Sequence, residues 1–381
     1  MKKLIIVFNT THANTIGNEC RLNLMKQMVK NFEITIVTDK YNFIINKFPD
    51  CHVEYFNPKF NKFIPFKKII LWYRLANYLN TLHADFVFLF HNEATAAIWI
   101  NKPVFQYIHQ YGSRYNPVGF YRTTKVKVFE SIYNYLSIKG FKKSIINFAI
   151  SPFLVEYLQS RGVKNLFYSP HGIELDKFQN PHICEFHEVL TKKKKAGSFI
   201  LAYTGWVSEN RGFKLLLKGI KKLSQVDSKF VLVICGADKH FSARIQEFQV
   251  INNLHSEVIN FGIIDSRMIP SILLNADLCV NFLDPEFQAF NLSPPQKLVE
   301  YMAAGKPVIC NDIPTHTLYI KNEFTGVLIE NNVDMFVDTV LRLASDDELR
   351  CRMSANCLNE SKKYDSLIVY QEVCDQINLC S

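Results

Sequence analysis

Short runs of β-branched, leucine and aromatic residues return along the whole chain, each followed by a helix-length amphipathic segment. This recurrence limits the possible folds more than any other feature. The first half carries KLIIVF, EITIVT, DFVFLFH, PVFQYIH and IINFAIS; the second carries SFILAYT, KFVLVICG, EVINFG, DLCVNF, PVIC and TGVLI. A strand with one wet face alternates apolar and polar residues, whereas most of these runs are nearly continuously apolar, as strands covered on both faces of a parallel sheet are. The intervening helices supply that cover. Two such series predict an α/β protein of two Rossmann-like, doubly wound parallel-sheet domains facing across a cleft. The first domain is expected over residues 1–178 and the second over 198–364. Between them QNPHICEFHEVLTKKKKAG (179–197) has no clear period and reads as a linker.

With 381 residues, 48% hydrophobic and 21% charged, the chain has the makings of about two ordinary soluble cores. Its apolar runs are interrupted well short of the roughly 20 residues that a membrane-spanning helix needs. The opening MKKLIIVFNT begins like a signal peptide, but its apolar stretch LIIVF is too short. It reads as a first strand, and the chain as cytoplasmic. The ten cysteines are scattered from Cys20 to Cys380 without a C-x-x-C pair, which suits reduced core thiols. HICEFH (His182, Cys184, His187) brings ligand types close together but lacks a fourth partner, so no metal site is expected there.

Charge is uneven. Residues 1–178 carry 23 Lys and Arg against 11 Asp and Glu, and the remainder 21 against 24. The basic half includes KFNKFIPFKKIILWYRL (59–75) and YRTTKVKVFESIYNYLSIKGFKKS (121–144), which interleave cations with aromatic rings. Such segments suit an anionic membrane surface; a solvated basic face around a packed helix is the plainer reading. No nucleic-acid-binding motif accompanies them, so nucleic acid is not an expected partner.

Ligands of doubly wound sheets bind outside the carboxyl ends of the strands. His91, His109, Gly205, Gly236 and Gly262 each end one of the apolar runs. Just beyond another run lies NLSPPQKLVEYMAAGKPVIC (291–310). Ser293 is the expected N-cap, Pro294 the first helical residue and Gln296 the partner in a capping box. Gly305 and Pro307 stop the helix. Leu298, Val299, Met302 and Ala303 form its apolar stripe, and Lys297 and Glu300, three apart, emerge together on one side. A capped helix mouth at a strand edge suits a phosphate. A second positive feature is YTGWVSENRGFKLLLKGI (203–220). There Gly205 admits close backbone approach, Gly212 loosens the start of the helix, and the planar fork of Arg211 matches a phosphate.

In the order TGWVSENRG, then SPPQKLVEYMAAGKPVI, preceded by PHGIELDKF, the chain resembles the family 4 retaining glycosyltransferases (glycosyl transferases group 1) of the GT-B fold. The resemblance spans nearly the whole chain. IGNECRLNLMKQMVKNFEITIVT resembles that family's first glycine loop, helix and second strand, with Gly17 and Asn18 at the loop. QYIHQYG resembles the strand ending in its active-site histidine, here His109, and AISPFLVEYLQSRGVKNLFYSPHGIELDKF the segment that closes the first domain, with His171 where Asn is commoner.

The resemblance implies transfer of a sugar from a UDP- or GDP-linked donor to an acceptor hydroxyl with retention. It implies no metal cofactor, consistent with the absence of any Asp-x-Asp. It implies that Glu300 accepts hydrogen bonds from the ribose hydroxyls and that Arg211, standing where the family has Lys, neutralises the diphosphate. Leu292, Ser293, Pro294, Pro295 and Gln296 would hold phosphate or sugar oxygens, Gly205, Trp206 and Gly236 would line the donor, and Gly262, Ile263 and Ile264 would flank the base. His109 would face the donor sugar, with Gly17, Asn18 and His91 on the acceptor side, and a last helix at about 365–381 would cross back onto the first domain.

Trp206 stands where the family has Arg, and Lys297 is expected to supply that charge. Leu292 stands where many members have an acid, for which Asp284, Glu286 or backbone amides could substitute. The implied acceptor is a lipid-linked, lipopolysaccharide or other surface glycan, handled by an enzyme peripheral on the cytoplasmic face of a membrane. A catalytically silent nucleotide-sugar-binding or membrane adaptor protein, or a sugar-nucleotide epimerase, is the alternative.

Overall fold

The computed structural model describes residues 1–9, 16–58, 67–109 and 124–380, without the side chains of 16–18, 91–92 and 124–130. Each of the eleven apolar runs forms a strand: β1 (Lys3–Phe8), β2 (Glu33–Thr38), β4 (Phe86–Phe90), β5 (Val104–Ile108) and β6 (Ile146–Ala149) in the first half, then β8 (Phe199–Thr204), β9 (Phe230–Cys235), β10 (Val258–Gly262), β11 (Leu278–Asn281), β12 (Val308–Asn311) and β13 (Gly326–Ile329). Two strands had no apolar run to announce them, β3 (His52–Tyr55) and β7 (Leu166–Tyr168). Both lie at sheet edges, where one flank is unpaired and the residues stay partly exposed.

The strands make two sheets, ordered β3-β2-β1-β4-β5-β6-β7 and β10-β9-β8-β11-β12-β13. Every pairing within them is parallel. In the second sheet Leu201, Tyr203, Leu232, Ile234, Val280 and Ile309 face one core, while Ile200, Ala202, Val231, Val233, Cys279, Val308 and Cys310 face the other. Both residues of each period-two pair are therefore buried, which is why the strands read as unbroken apolar runs. The helix Phe213–Val226 covers one face with Leu216, Leu217, Ile220 and Leu223.

The chain divides into two compact units, one holding most of residues 1–172 with Ser366–Ser381, the other Ile173–Asp365. The division falls at Gly172/Ile173, earlier than the expected boundary at residue 178. The expected linker 179–197 contains a helix of the second unit, Glu185–Lys195. Its Leu190 is buried in that unit's core, and Lys194 pairs with Asp277 at 2.7 Å. One buried leucine among lysines is too sparse a pattern to reveal a helix by period. The last helix, Ser366–Leu379, packs in the first unit. Its Tyr370 hydroxyl accepts from the Gly172 N–H at 3.0 Å and donates to the Gly172 carbonyl at 3.2 Å.

Candidate functional site

The second sheet reverses its direction of growth at β8, with β9 on one side and β11 on the other. Open parallel sheets bind ligands outside the carboxyl ends at such a switch point. Here β8, β9 and β10 end in Gly205, Gly236 and Gly262, and the structure brings these three turns together. Gly236 N–H donates to the Gly262 carbonyl at 2.6 Å, and Val207 N–H to the Gly236 carbonyl at 3.4 Å. Gly236 has φ +111°, and a Cβ on it would lie 2.2 Å from the carbonyl oxygen of Gly205, itself at φ +96°. Only glycine permits this backbone and this approach. The result is a sheet edge of bare main chain.

The helix behind this edge differs from the expected one. It runs Lys297–Ala303, and Ser293 closes the preceding helix, Gln288–Leu292, by donating its N–H to Ala289. Ser293 does not stand at the N-cap as expected, because Pro295 turns the preceding Pro294 away from helical conformation. Gln296 therefore begins the helix, and its Nε2 donates to Glu300 Oε1 at 2.8 Å. The glutamine orients the carboxylate instead of completing a capping box. At the exit, Gly305 N–H bonds to Met302 and Lys306 N–H to Tyr301, both at 2.9 Å. With Gly305 left-handed at φ +66° these are the paired bonds of a Schellman stop.

Nor do Lys297 and Glu300 emerge at the surface. Every residue of the helix is buried, Lys297 to 6% and Glu300 to 5% exposure. Lys297 Nζ lies 3.8 Å from the Tyr203 ring centroid, and a Cβ on Gly205 would stand 3.2 Å from it. Among the described residues Nζ has no hydrogen-bond partner. Burial holds its pKa well below the ordinary lysine value; Arg211 lowers it further, and Glu300 and Cys279 act the other way. Tyr301 ties the helix to the sheet, its hydroxyl accepting from Thr204 N–H at 2.8 Å.

Arg211 ends the short helix Glu209–Arg211 and lies 5.0 Å from the Phe290 ring centroid. Trp206 and Ile263 are exposed, Ile264 is half-buried, and Leu292 is buried. Of the acids near Leu292, Asp284 accepts from Glu286 N–H at 3.0 Å and Glu286 is exposed.

In the first unit His109 follows β5. The sequence reading missed its partner, Arg21, whose Nη2 lies 2.6 Å from His109 Nε2. A guanidinium only donates, so Nε2 is the acceptor of a neutral ring protonated on Nδ1. Arg21 is buried, 5.3 Å from the Phe90 ring centroid. A signal was present: Arg21 shares the helical stripe of Met25 and Met28, and an arginine in an apolar stripe needs a reason. Gly17 and Asn18 lie in the first turn of the helix Ile16–Asn31, and His91 begins the helix His91–Trp99. The side chains of Asn18 and His91 lie outside the described part.

Of the two basic segments, 59–66 and 121–123 lie outside the described residues. The helices that follow, Lys67–Thr81 and Thr124–Lys143, meet where Trp72 packs edge-on against Tyr133 at 5.4 Å and Lys68 lies over the same ring at 5.5 Å. Tyr73, Arg74, Tyr135, Lys139 and Lys142 are exposed. Among the described residues no helix is long and apolar enough to cross a membrane, and no three His, Cys, Asp or Glu side chains are grouped to hold a metal.

Residues 188–359 match the profile of the family described as glycosyl transferases group 1. The chain is similar over 197 residues, at 29% identity, to the UDP-Gal:alpha-D-GlcNAc-diphosphoundecaprenol alpha-1,3-galactosyltransferase of Escherichia coli. That match takes in 50% of this chain and about half, 48%, of the length of that relative. Among solved structures, the Anabaena Alr3699/HepE complex with UDP-glucose superposes with a TM-score of 0.76 over 99% of this chain and 100% of its own, at 12% identity. WaaG, a glycosyltransferase involved in lipopolysaccharide biosynthesis, superposes with a TM-score of 0.72 at 14% identity, over 98% of this chain and 99% of its own. At such identities the likeness establishes the fold.

Proposed function

We propose that this chain, which matches the family of glycosyl transferases group 1 through residues 188–359 and has the GT-B fold, is a retaining, metal-independent hexosyltransferase. It moves a sugar from a nucleotide-diphosphate donor, UDP-linked in preference to GDP-linked, to a hydroxyl of a lipid-linked, lipopolysaccharide or other surface-glycan acceptor. The observation that carries this reading is a buried lysine and a buried glutamate, Lys297 and Glu300, behind bare main chain at the switch point. A solvated helix face has no use for such a pair, whereas a diphosphate and a ribose need both.

In this reading Glu300, aimed by Gln296, accepts from the ribose hydroxyls. Arg211 and Lys297 neutralise the diphosphate, the Leu292–Gln296 turn holds phosphate or sugar oxygens, and Ile263 and Ile264 flank the base. His109, with Arg21 on its Nε2, serves the sugar and acceptor. The acceptor oxygen attacks the anomeric carbon on the face from which the diphosphate departs. The C–O electron pair leaves with the diphosphate, whose oxygen takes the acceptor proton. Fixed cations favour this step because the leaving group gains charge as the bond breaks, and removing one such contact costs about 2–4 kcal/mol.

Support for the donor and acceptor classes comes from the relatives. The name of the E. coli protein specifies UDP-Gal and a diphosphoundecaprenol-linked sugar, and the HepE structure contains UDP-glucose. The basic, aromatic surface of the first unit supports a peripheral position on an anionic membrane.

The test is calorimetric titration with UDP, GDP, ADP and CDP in the presence of a chelator. UDP is expected to bind, and Glu300→Ala to bind it about thirtyfold more weakly, the equivalent of about 2 kcal/mol. A folded protein that binds none of the four refutes the reading.

A further inference from the structure

We propose that Lys297 is the charge switch of the donor site: a neutral amine while the site is empty and an ammonium once a nucleotide diphosphate occupies it, so that donor binding takes up a proton. This rests on the donor-site reading above and adds a property of it. The geometry leads there in three steps. Nζ is shut off from water and has no hydrogen-bond partner among the described residues. Its neighbours are the face of Tyr203, 3.8 Å away, and the main chain of Gly205, where even a Cβ would come within 3.2 Å. A bare ammonium in that position exchanges its hydration for the Tyr203 ring face alone, with no hydrogen bond among the described residues, which favours the amine. The missing side chain at Gly205 leaves room for an outside anion to approach this nitrogen, and a diphosphate there supplies the hydrogen bonds and opposite charge that the empty site lacks.

Several titratable and charged groups surround Nζ. Tyr203 on β8 is pushed up to about 12 and stays neutral. Burial raises the Cys279 thiol on β11 far above the neutral range. His316, on the helix Pro314–Thr317, is lowered to about 4. Arg211 is a permanent cation whose field opposes a second positive charge, and Glu300, one turn along the helix, works in the other direction. Lys297 itself is held well below its ordinary value, chiefly by burial.

The sign follows. Between the pKa of the empty site and the higher pKa of the occupied one, each donor bound takes up one proton and affinity falls about tenfold per pH unit as pH rises. Below the first pKa the lysine is already charged, and affinity levels off.

UDP-glucose is the probe, because its diphosphate diester does not itself titrate in the neutral range. Calorimetry of the wild-type chain at one neutral pH, in buffers of different ionisation enthalpy, should give an uptake approaching one proton. Lys297→Met should bind more weakly with no uptake. Should that variant fold poorly, lysine side-chain nitrogen resonances of the empty wild type decide, since a neutral amine and an ammonium differ in shift. Binding without proton uptake, uptake that survives in Lys297→Met, or an ammonium in the empty site at neutral pH would each overturn the proposal while leaving the donor site intact. If UDP-glucose and the free nucleotides all fail to bind, the donor-site reading falls and this inference with it.

Discussion

His316 is fully buried, with Nδ1–H donating to the Asn311 carbonyl and Nε2 accepting from Asn281 Nδ2, each at 2.8 Å. The ring must be neutral for both bonds to exist. Burial lowers its pKa from 6.5 to about 4, with Lys297 adding to the effect and the Asn311 hydrogen bond opposing it. Above pH 6.5 neither folded nor unfolded protein protonates this ring. As pH falls, the unfolded chain takes up the proton first, so stability drains away from about pH 6.5 and stops falling near pH 4. The full effect is on the order of 3 kcal/mol. Urea unfolding across this range should give a steep acid limb for wild type and a flatter one for His316→Asn. Equal limbs would place the acid sensitivity elsewhere. In the sequence THTL this histidine has no distinguishing feature, because its neighbours Asn281 and Asn311 come from two other strands. The strand-end glycines were legible, since a left-handed turn after a strand leaves few other residues possible.

The helix Ser366–Leu379 illustrates what an element contributes. Val369, Tyr370, Val373, Cys374 and Ile377 are buried along one face, so packing, with the Tyr370 hydroxyl bonded to both polar groups of Gly172, sets its position in the first unit. Tyr370→Phe keeps the ring and leaves those buried groups unsatisfied. The expected loss is about 1–3 kcal/mol in urea unfolding at unchanged slope; an unaltered midpoint would mean that water reaches Gly172. Helix Lys297–Ala303 carries the complementary lesson. Its C-terminal stop was readable from Gly305 and Pro307, because chain stops are local. Its start was misread because a favourable capping pattern met two prolines whose own backbone limits took precedence.

For the whole molecule, the imbalance of charge between the two halves is the property most open to measurement. The exposed Lys139, over the Tyr135 ring, and Lys142 on the same helix should attract vesicles containing phosphatidylserine, each contributing about 1 kcal/mol near the surface and less as salt rises. Reversing both to Glu should weaken cosedimentation at least about tenfold at low salt. Binding that ignores both salt and these substitutions would remove the membrane from the proposal. The sequence alone determined the two parallel sheets, eleven strands and the strand-end glycines, because burial within a covered sheet and left-handed turns leave only a few residue types possible at each position. The tertiary structure alone decided the edge strands β3 and β7, the pairing of Arg21 with His109, and the burial of Lys297 with no hydrogen-bond partner among the described residues. Those depend on which distant segments come to lie around a side chain, and the period of a single strand or helix carries no record of its neighbours.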